Sequence, residues 1–232
     1  MLYGTLILLI PRPEGLLITA DSLSRDADDP AERTTDVHKI VQCTDHAVAT
    51  INNACRGNIP NGEHQGEQWD AEAIVESISD YPADDPRSRA NHLASAFAKR
   101  SSTFFEHYPD DPSTPAQDPF TVLHYCEVTP DARTFIYTTT YALDRKDGHY
   151  ELCQHPLEAV SEDQPPMKIR AKAIGLSGTL VRFTPPTRPY ELWATENYQA
   201  MIARCPALAS EISLPIDVAL LMATGLAWPA RK

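Results

Sequence analysis

Apolar residues in the first 55 positions fall in short blocks, and the blocks read as four strands. Residues 5–10 and 16–21 are apolar and β-branched. Pro11-Arg12-Pro13-Glu14-Gly15 between them has hairpin chemistry, because Pro fixes φ and Gly permits positive φ. Residues 22–36 are charged and contain Pro30, hence a loop. Residues 39–43 and 47–51 flank Thr44-Asp45-His46 and form a second hairpin. These strands carry apolar side chains at consecutive positions, so their sheet is expected to be covered on both faces. Two helices follow. Over 70–81, Ala71, Ile74, Val75 and Ile78 recur at helical spacing behind Asp70, a natural N-cap. Over 88–108 the stripe is Leu93, Phe97, Phe104 and Tyr108, bracketed by Pro86 and Pro109.

Residues 109–119 are rich in Asp, Pro, Ser and Thr and predict a loop. Strands are expected at 120–128, 134–141, 150–154 and 169–174, with the acidic, Pro-rich segment 158–166 left irregular. Two closing helices are expected at 189–204 and 215–227. The second is apolar nearly all round, which predicts a buried helix or one against another subunit. The order of four strands, two helices, about four strands and two helices differs from βαβ alternation. It predicts an α+β chain of antiparallel sheets with helices packed outside. Internal repeats and a Gly-rich phosphate loop are absent.

Composition narrows the function classes. The 232 residues are 42% hydrophobic, enough for one sizeable core, and a single domain spanning 1–232 is expected. Twenty Lys+Arg against 32 Asp+Glu give a formal charge of −12, which disfavours a nucleic-acid partner. Five scattered Cys without a C-x-x-C pair argue against a disulfide framework and a thiolate zinc site. The eight His show no metal-ligand spacing, so neither a metal nor another cofactor is expected. Leu6-Ile7-Leu8-Leu9-Ile10 lacks a preceding Lys or Arg and stops at Pro11, so it reads as a strand rather than a signal peptide. No run reaches the roughly 20 apolar residues of a membrane span. The expectation is a cytoplasmic protein without a membrane partner.

One group of residues carries candidate chemistry. Gly4-Thr5 begins the first strand, Asp21 ends the second, and Lys39 begins the third. A hairpin returns the end of strand two to the start of strand one, so Thr5 and Asp21 are neighbours. If strand three lies alongside, Lys39 joins them. Each residue alone has a plainer reading. Thr is a good strand residue, Asp21 a strand-end turn residue, and Lys39 a solvated strand start. His38 reads as a surface residue, and Cys43 and Cys126 as buried, inert thiols.

Gly4-Thr5, Gly15 and Leu17-Ile18-Thr19-Ala20-Asp21-Ser22 together resemble the N-terminal nucleophile hydrolases, within them the proteasome β-subunits and their bacterial relatives. Thr5 and Asp21 stand sixteen residues apart, as that family's nucleophile and aspartate do. Lys39-Ile40 resembles its catalytic lysine. Ala173-Ile174-Gly175-Leu176-Ser177-Gly178 resembles the Gly-Ser-Gly turn before its third helix, and equally reads as a simple helix-entry turn. The resemblance implies a four-layer αββα sandwich of two antiparallel sheets flanked by helix pairs. It also implies self-cleavage between Gly4 and Thr5, with residues 1–4 as a propeptide. Thr5 would then be the nucleophile, Lys39 and Asp21 its activating pair, Ser177 a partner of the new α-amine, and the backbone N–H near Asn53 the oxyanion donor. An α-amine titrating at roughly 7.7–8.0 suits proton shuttling near neutrality.

The expected activity is threonine-type cleavage of amide bonds in peptide or protein substrates, by a homo-oligomer of ring or related form. Two departures bear on it. The family has Gly where Asn53 falls. It also ends in an Asp-x-x-Ser turn and two closing strands, which Trp228-Pro229-Ala230-Arg231-Lys232 does not supply. The closing strands are therefore expected to be lacking. These departures leave open a non-catalytic subunit with an assembly or binding role. Acyl transfer to an amine is a third reading.

Overall fold

The computed structural model describes residues 2–4, 6–26, 33–34, 37–78, 81–109, 116–175, 184–206, 212 and 214–231. The first strands are β1 (Leu2–Gly4), β2 (Leu6–Arg12), β3 (Gly15–Asp21), β4 (Ser24–Asp26), β5 (Arg33–Thr34), β6 (Ile40–Thr44), β7 (Ala47–Asn58) and β8 (Gln68–Asp70). Helices α1 (Ala71–Ile78) and α2 (Pro86–Glu106) follow. After them come β9 (Gln117–Val128), β10 (Thr134–Lys146), β11 (His149–Gln154), β12 (Glu158–Gln164) and β13 (Lys172–Gly175). Helix α3 (Tyr190–Arg204) and the hairpin of β14 (Ile216–Met222) and β15 (Gly225–Ala230) close the described chain.

The strands form two antiparallel sheets. The ten-stranded sheet runs β11-β10-β9-β7-β1-β4-β5, with β12 on β10 and β6 and β8 on β7. The five-stranded sheet runs β13-β2-β3-β14-β15. Three apolar layers separate the elements. Val41, Ala49, Ile51, Leu123 and Tyr137 of the large sheet pack under Val75, Leu93, Phe97 and Phe105 of α1 and α2. Ile7, Leu9, Leu16, Ile18, Ala219 and Leu221 of the small sheet meet Ile40, Val48, Cys126 and Ile136 of the large one. Leu6, Leu8, Ile10, Leu17, Val218 and Leu220 face Trp193, Ala194, Tyr198 and Met201 of α3. Helix, sheet, sheet, helix matches the antiparallel sheets with helices outside expected from the pattern and the αββα order the resemblance implies, and β2 and β3 are buried on both faces.

The cap expected at Asp70 forms, and Asp85 supplies one that was not expected. Ala73 N donates to Asp70 Oδ1 at 3.2 Å at the start of α1. Asp85 caps α2, accepting from Ser88 N at 2.8 Å, with Pro86 in the first turn. Arg89 grips Glu127 through Nη2 at 2.6 Å and Nε at 3.0 Å, and Tyr125 Oη donates to the same carboxylate at 2.6 Å. This network fastens α2 to β9.

Three expectations are corrected. Within 22–36, expected as a loop, Ser24–Asp26 and Arg33–Thr34 are strands of the large sheet. Residues 215–227 are not a helix: Ile216–Met222 and Gly225–Ala230 form a hairpin, so the small sheet does have closing strands. The cause is double burial. Ile216, Val218 and Leu220 face α3 while Ala219 and Leu221 face the other sheet, and a strand buried on both sides looks apolar all round. Helix α3 is thus the described helix on its side, where a pair was expected. Segment 158–166 is also regular over most of its length, with β12 pairing against β10 at Tyr137↔Ala159. Its exposed residues, fit for an edge strand, hid it. Among the described residues no helix is long and apolar enough to cross a membrane.

Candidate functional site

The chain changes sheets at its start. β1 ends at Gly4, opposite Asn53 of β7 and Ser24 of β4 in the large sheet. β2 begins at Leu6 in the small sheet, opposite Gly175 of β13. β3 ends at Asp21, opposite Ile216 of β14. Lys39 directly precedes β6, and its carbonyl accepts from Ile51 N of β7 at 2.9 Å.

Asp21 and Lys39 meet inside the protein. Lys39 Nζ donates to Asp21 Oδ1 at 2.8 Å, and neither side chain is exposed. The same Oδ1 accepts Leu6 N–H at 2.9 Å, and Oδ2 accepts Leu23 N–H at 3.1 Å. The carboxylate therefore ties together the start of β2, the end of β3 and the approach to β6. A buried ammonium is tolerated only with such a partner. The contact at Leu6 is the informative one, since it fixes the backbone immediately after Thr5. Thr5 itself and Ser177 lie outside the described residues. Asn53 has φ 64°, the left-handed backbone that Asn tolerates and that orients its N–H differently from those of a regular strand. Its side-chain Nδ2 donates to Pro119 O at 3.3 Å.

Sequence reading missed the residues that hold this corner. His38 is half-buried rather than a surface residue, and its Nδ1 lies 3.1 Å from Oδ2 of the buried Asp217 in β14. The backbone N–H of His38 donates to Glu72 Oε2 of α1 at 3.2 Å. Burial raises the Glu72 pKa. Lys39 is thus positioned from two sides, through its neighbour, by α1 and β14. The only sequence signal for this was an acidic residue in β14, and the helical reading of that segment concealed it.

The large sheet adds polar residues in register. Ile40↔Thr50 and Thr50↔His124 pair across β6, β7 and β9. His124 Nδ1 lies 2.7 Å from Thr138 Oγ1. Its Nε2, together with Thr50 Oγ1 and Asn52 Oδ1, is buried without a hydrogen-bond partner among the described residues. Burial, with a smaller contribution from Lys172, pushes the His124 pKa down to about 4. Cys43 and Cys126 are buried as expected, and burial pushes the Cys43 thiol up to about 12 and raises that of Cys126.

This corner offers a desolvated cation fixed by a carboxylate next to a backbone junction between sheets. It suits electrostatic support of an oxyanion or of a hydroxyl losing its proton. No protein-family model matches the sequence, and no curated protein matches it.

Proposed function

We propose that the chain is a threonine-type amide hydrolase of the N-terminal nucleophile class, resembling proteasome β-subunits, with peptides or proteins as substrates. The observation that carries this reading is the buried Lys39–Asp21 pair, whose shared Oδ1 also holds Leu6 N–H. A core ion pair contributes little to stability compared with apolar packing. Its hold on Leu6 N–H, at the start of β2, is what supports a chemical use for it.

The reaction runs in two stages. In self-processing, Thr5 Oγ adds to the Gly4 carbonyl and the Thr5 nitrogen leaves, turning the amide into an ester. Water then cleaves the ester, giving a Gly4 carboxylate and a free Thr5 α-amine. In turnover, the α-amine takes the Oγ proton as Oγ attacks the substrate carbonyl, and that proton passes to the leaving amine. Water resolves the acyl-enzyme. Lys39 lowers the cost of charge on Oγ, Asp21 orients Lys39, the Asn53 N–H receives the oxyanion, and Ser177 bonds the α-amine. Leu2–Gly4 pairs antiparallel with β7 across Asn53 to Arg56. A substrate peptide replacing it gains the same main-chain pairing, with its scissile carbonyl where that of Gly4 was.

Intact-mass measurement of purified protein tests the reading. Wild type loses Met1-Leu2-Tyr3-Gly4, Thr5→Ala retains them, and a threonine-directed electrophile labels only wild type. Full-length mass in both, with no labelling, leaves a non-catalytic subunit. That second reading draws on Asn53, which stands where the family has Gly and whose side chain donates to Pro119 O.

A further inference from the structure

Away from that corner, His64, Glu67 and His107 converge. His64 and Glu67 lie in the loop between β7 and β8, and His107 caps the C-terminus of α2. His64 Nδ1 is 2.6 Å from Glu67 Oε1, and His107 Nδ1 is 3.1 Å from Glu67 Oε2. The two imidazoles stack, with centroids 3.7 Å apart and planes 11° from parallel, so both Nδ1 atoms address one carboxylate. One ligand atom from each residue lies within 4.8 Å of the others.

We infer that His64, Glu67 and His107 form a site for one divalent first-row transition-metal ion of the zinc, nickel or copper class. Two imidazole nitrogens and one carboxylate oxygen are the donor set these ions favour over magnesium or calcium, which prefer oxygen. Three protein ligands leave a position for water, as in open zinc sites. Ligands about 2.0–2.1 Å from a tetrahedral ion stand about 3.3 Å apart, so admitting one opens the 2.6 and 3.1 Å contacts and turns the stacked rings out of parallel until both planes contain the ion.

The backbone holds the donors in place. Ile59 N bonds Glu67 O at 2.9 Å, Gly66 N bonds Ile59 O at 3.0 Å, and Glu67 N bonds His64 O at 3.1 Å. His107 N bonds Phe104 O at 3.1 Å. All three side chains are at least partly exposed, so an ion has access from solvent. A bound ion joins the β7–β8 loop to the end of α2. The inference is independent of the hydrolase reading.

Calorimetric titration of the full chain with zinc chloride and cobalt chloride near neutral pH tests it. One equivalent binds to wild type and to a His155→Ala control. His64→Ala and His107→Ala each weaken binding at least about tenfold. Undiminished binding in the His64→Ala/His107→Ala double variant, or no saturable binding to wild type, overturns the inference. The cobalt spectrum of wild type gives a second measurement that needs no variant. Visible d–d bands without thiolate-to-cobalt charge transfer support a nitrogen and oxygen donor set. A strong near-ultraviolet thiolate band places the metal on cysteine and overturns the inference.

Discussion

At the scale of single residues, the Lys39–Asp21 pair has a predicted stability signature separate from any activity. Both side chains are fully buried, and Asp21 carries two backbone N–H bonds besides the lysine. Lys39→Met leaves a carboxylate without its countercharge and is expected to destabilise the fold by about 3–5 kcal/mol. Asp21→Asn leaves a buried ammonium facing an amide and costs a similar amount. The double variant removes both charges and recovers much of the loss. Urea denaturation of the four proteins closes the cycle, and additive losses would show that the two groups are not coupled. Asp21 was legible beside the start of β2 because a hairpin brings strand ends together, whereas Lys39 joined it only if its strand lay alongside, and the structure brings it in from the facing sheet. His64 and His107 were not legible, since their meeting depends on the path of the β7–β8 loop and the length of α2. Asn53 was legible in part: its residue type admits positive φ, while its side-chain bond to Pro119 depends on the register of β7 with β9.

At the scale of elements, the β14–β15 hairpin shows where periodicity fails. An apolar run with side chains buried alternately under α3 and between the sheets has the same one-dimensional pattern as a buried helix. Long-range pairing with β3 decides the matter, from Ile216↔Asp21 to Met222↔Gly15. The two-residue turn leaves Gly225 at φ 117°, and Leu226 N reaches Asp45 O at 2.6 Å. Gly15 is the tight point of this pairing, because a Cβ built there would lie 1.8 Å from the Leu221 carbonyl oxygen. Backbone cannot yield as a flexible side chain would. Gly15→Ala is therefore expected to push β14 off β3 and cost about 2–3 kcal/mol. Hydrogen exchange should show faster exchange of amides in β14 and β15, with those of β9 and β10 unchanged. Equal protection across both sheets would contradict this account.

At the scale of the whole molecule, stability should depend on pH through a group buried between the sheets. The His124 pKa falls from 6.5 to about 4, chiefly through burial, with Lys172 adding repulsion. Between these values the unfolded chain binds a proton at this ring and the folded chain does not, so folding weakens as pH drops through the window. Below about pH 4 the loss is complete. A shift of this size corresponds to about 3 kcal/mol in full, and to about 2 kcal/mol between pH 7.5 and 5. Glu14 also titrates with folding, its pKa lowered to about 2 chiefly by the Tyr190 hydroxyl. Its contribution is lost between 4.5 and 2, mostly below the window set by His124 and below the pH 5 of the comparison. Acidification acts the other way through the formal charge of −12, since protonating carboxylates relieves self-repulsion. The difference between wild type and His124→Gln isolates the histidine, because the charge background is common to both. Urea unfolding at pH 7.5 and pH 5 should show a smaller acid loss in His124→Gln, by about 2 kcal/mol. An identical acid loss in the two proteins would mean that the sheets part enough for His124 to protonate while the chain stays folded.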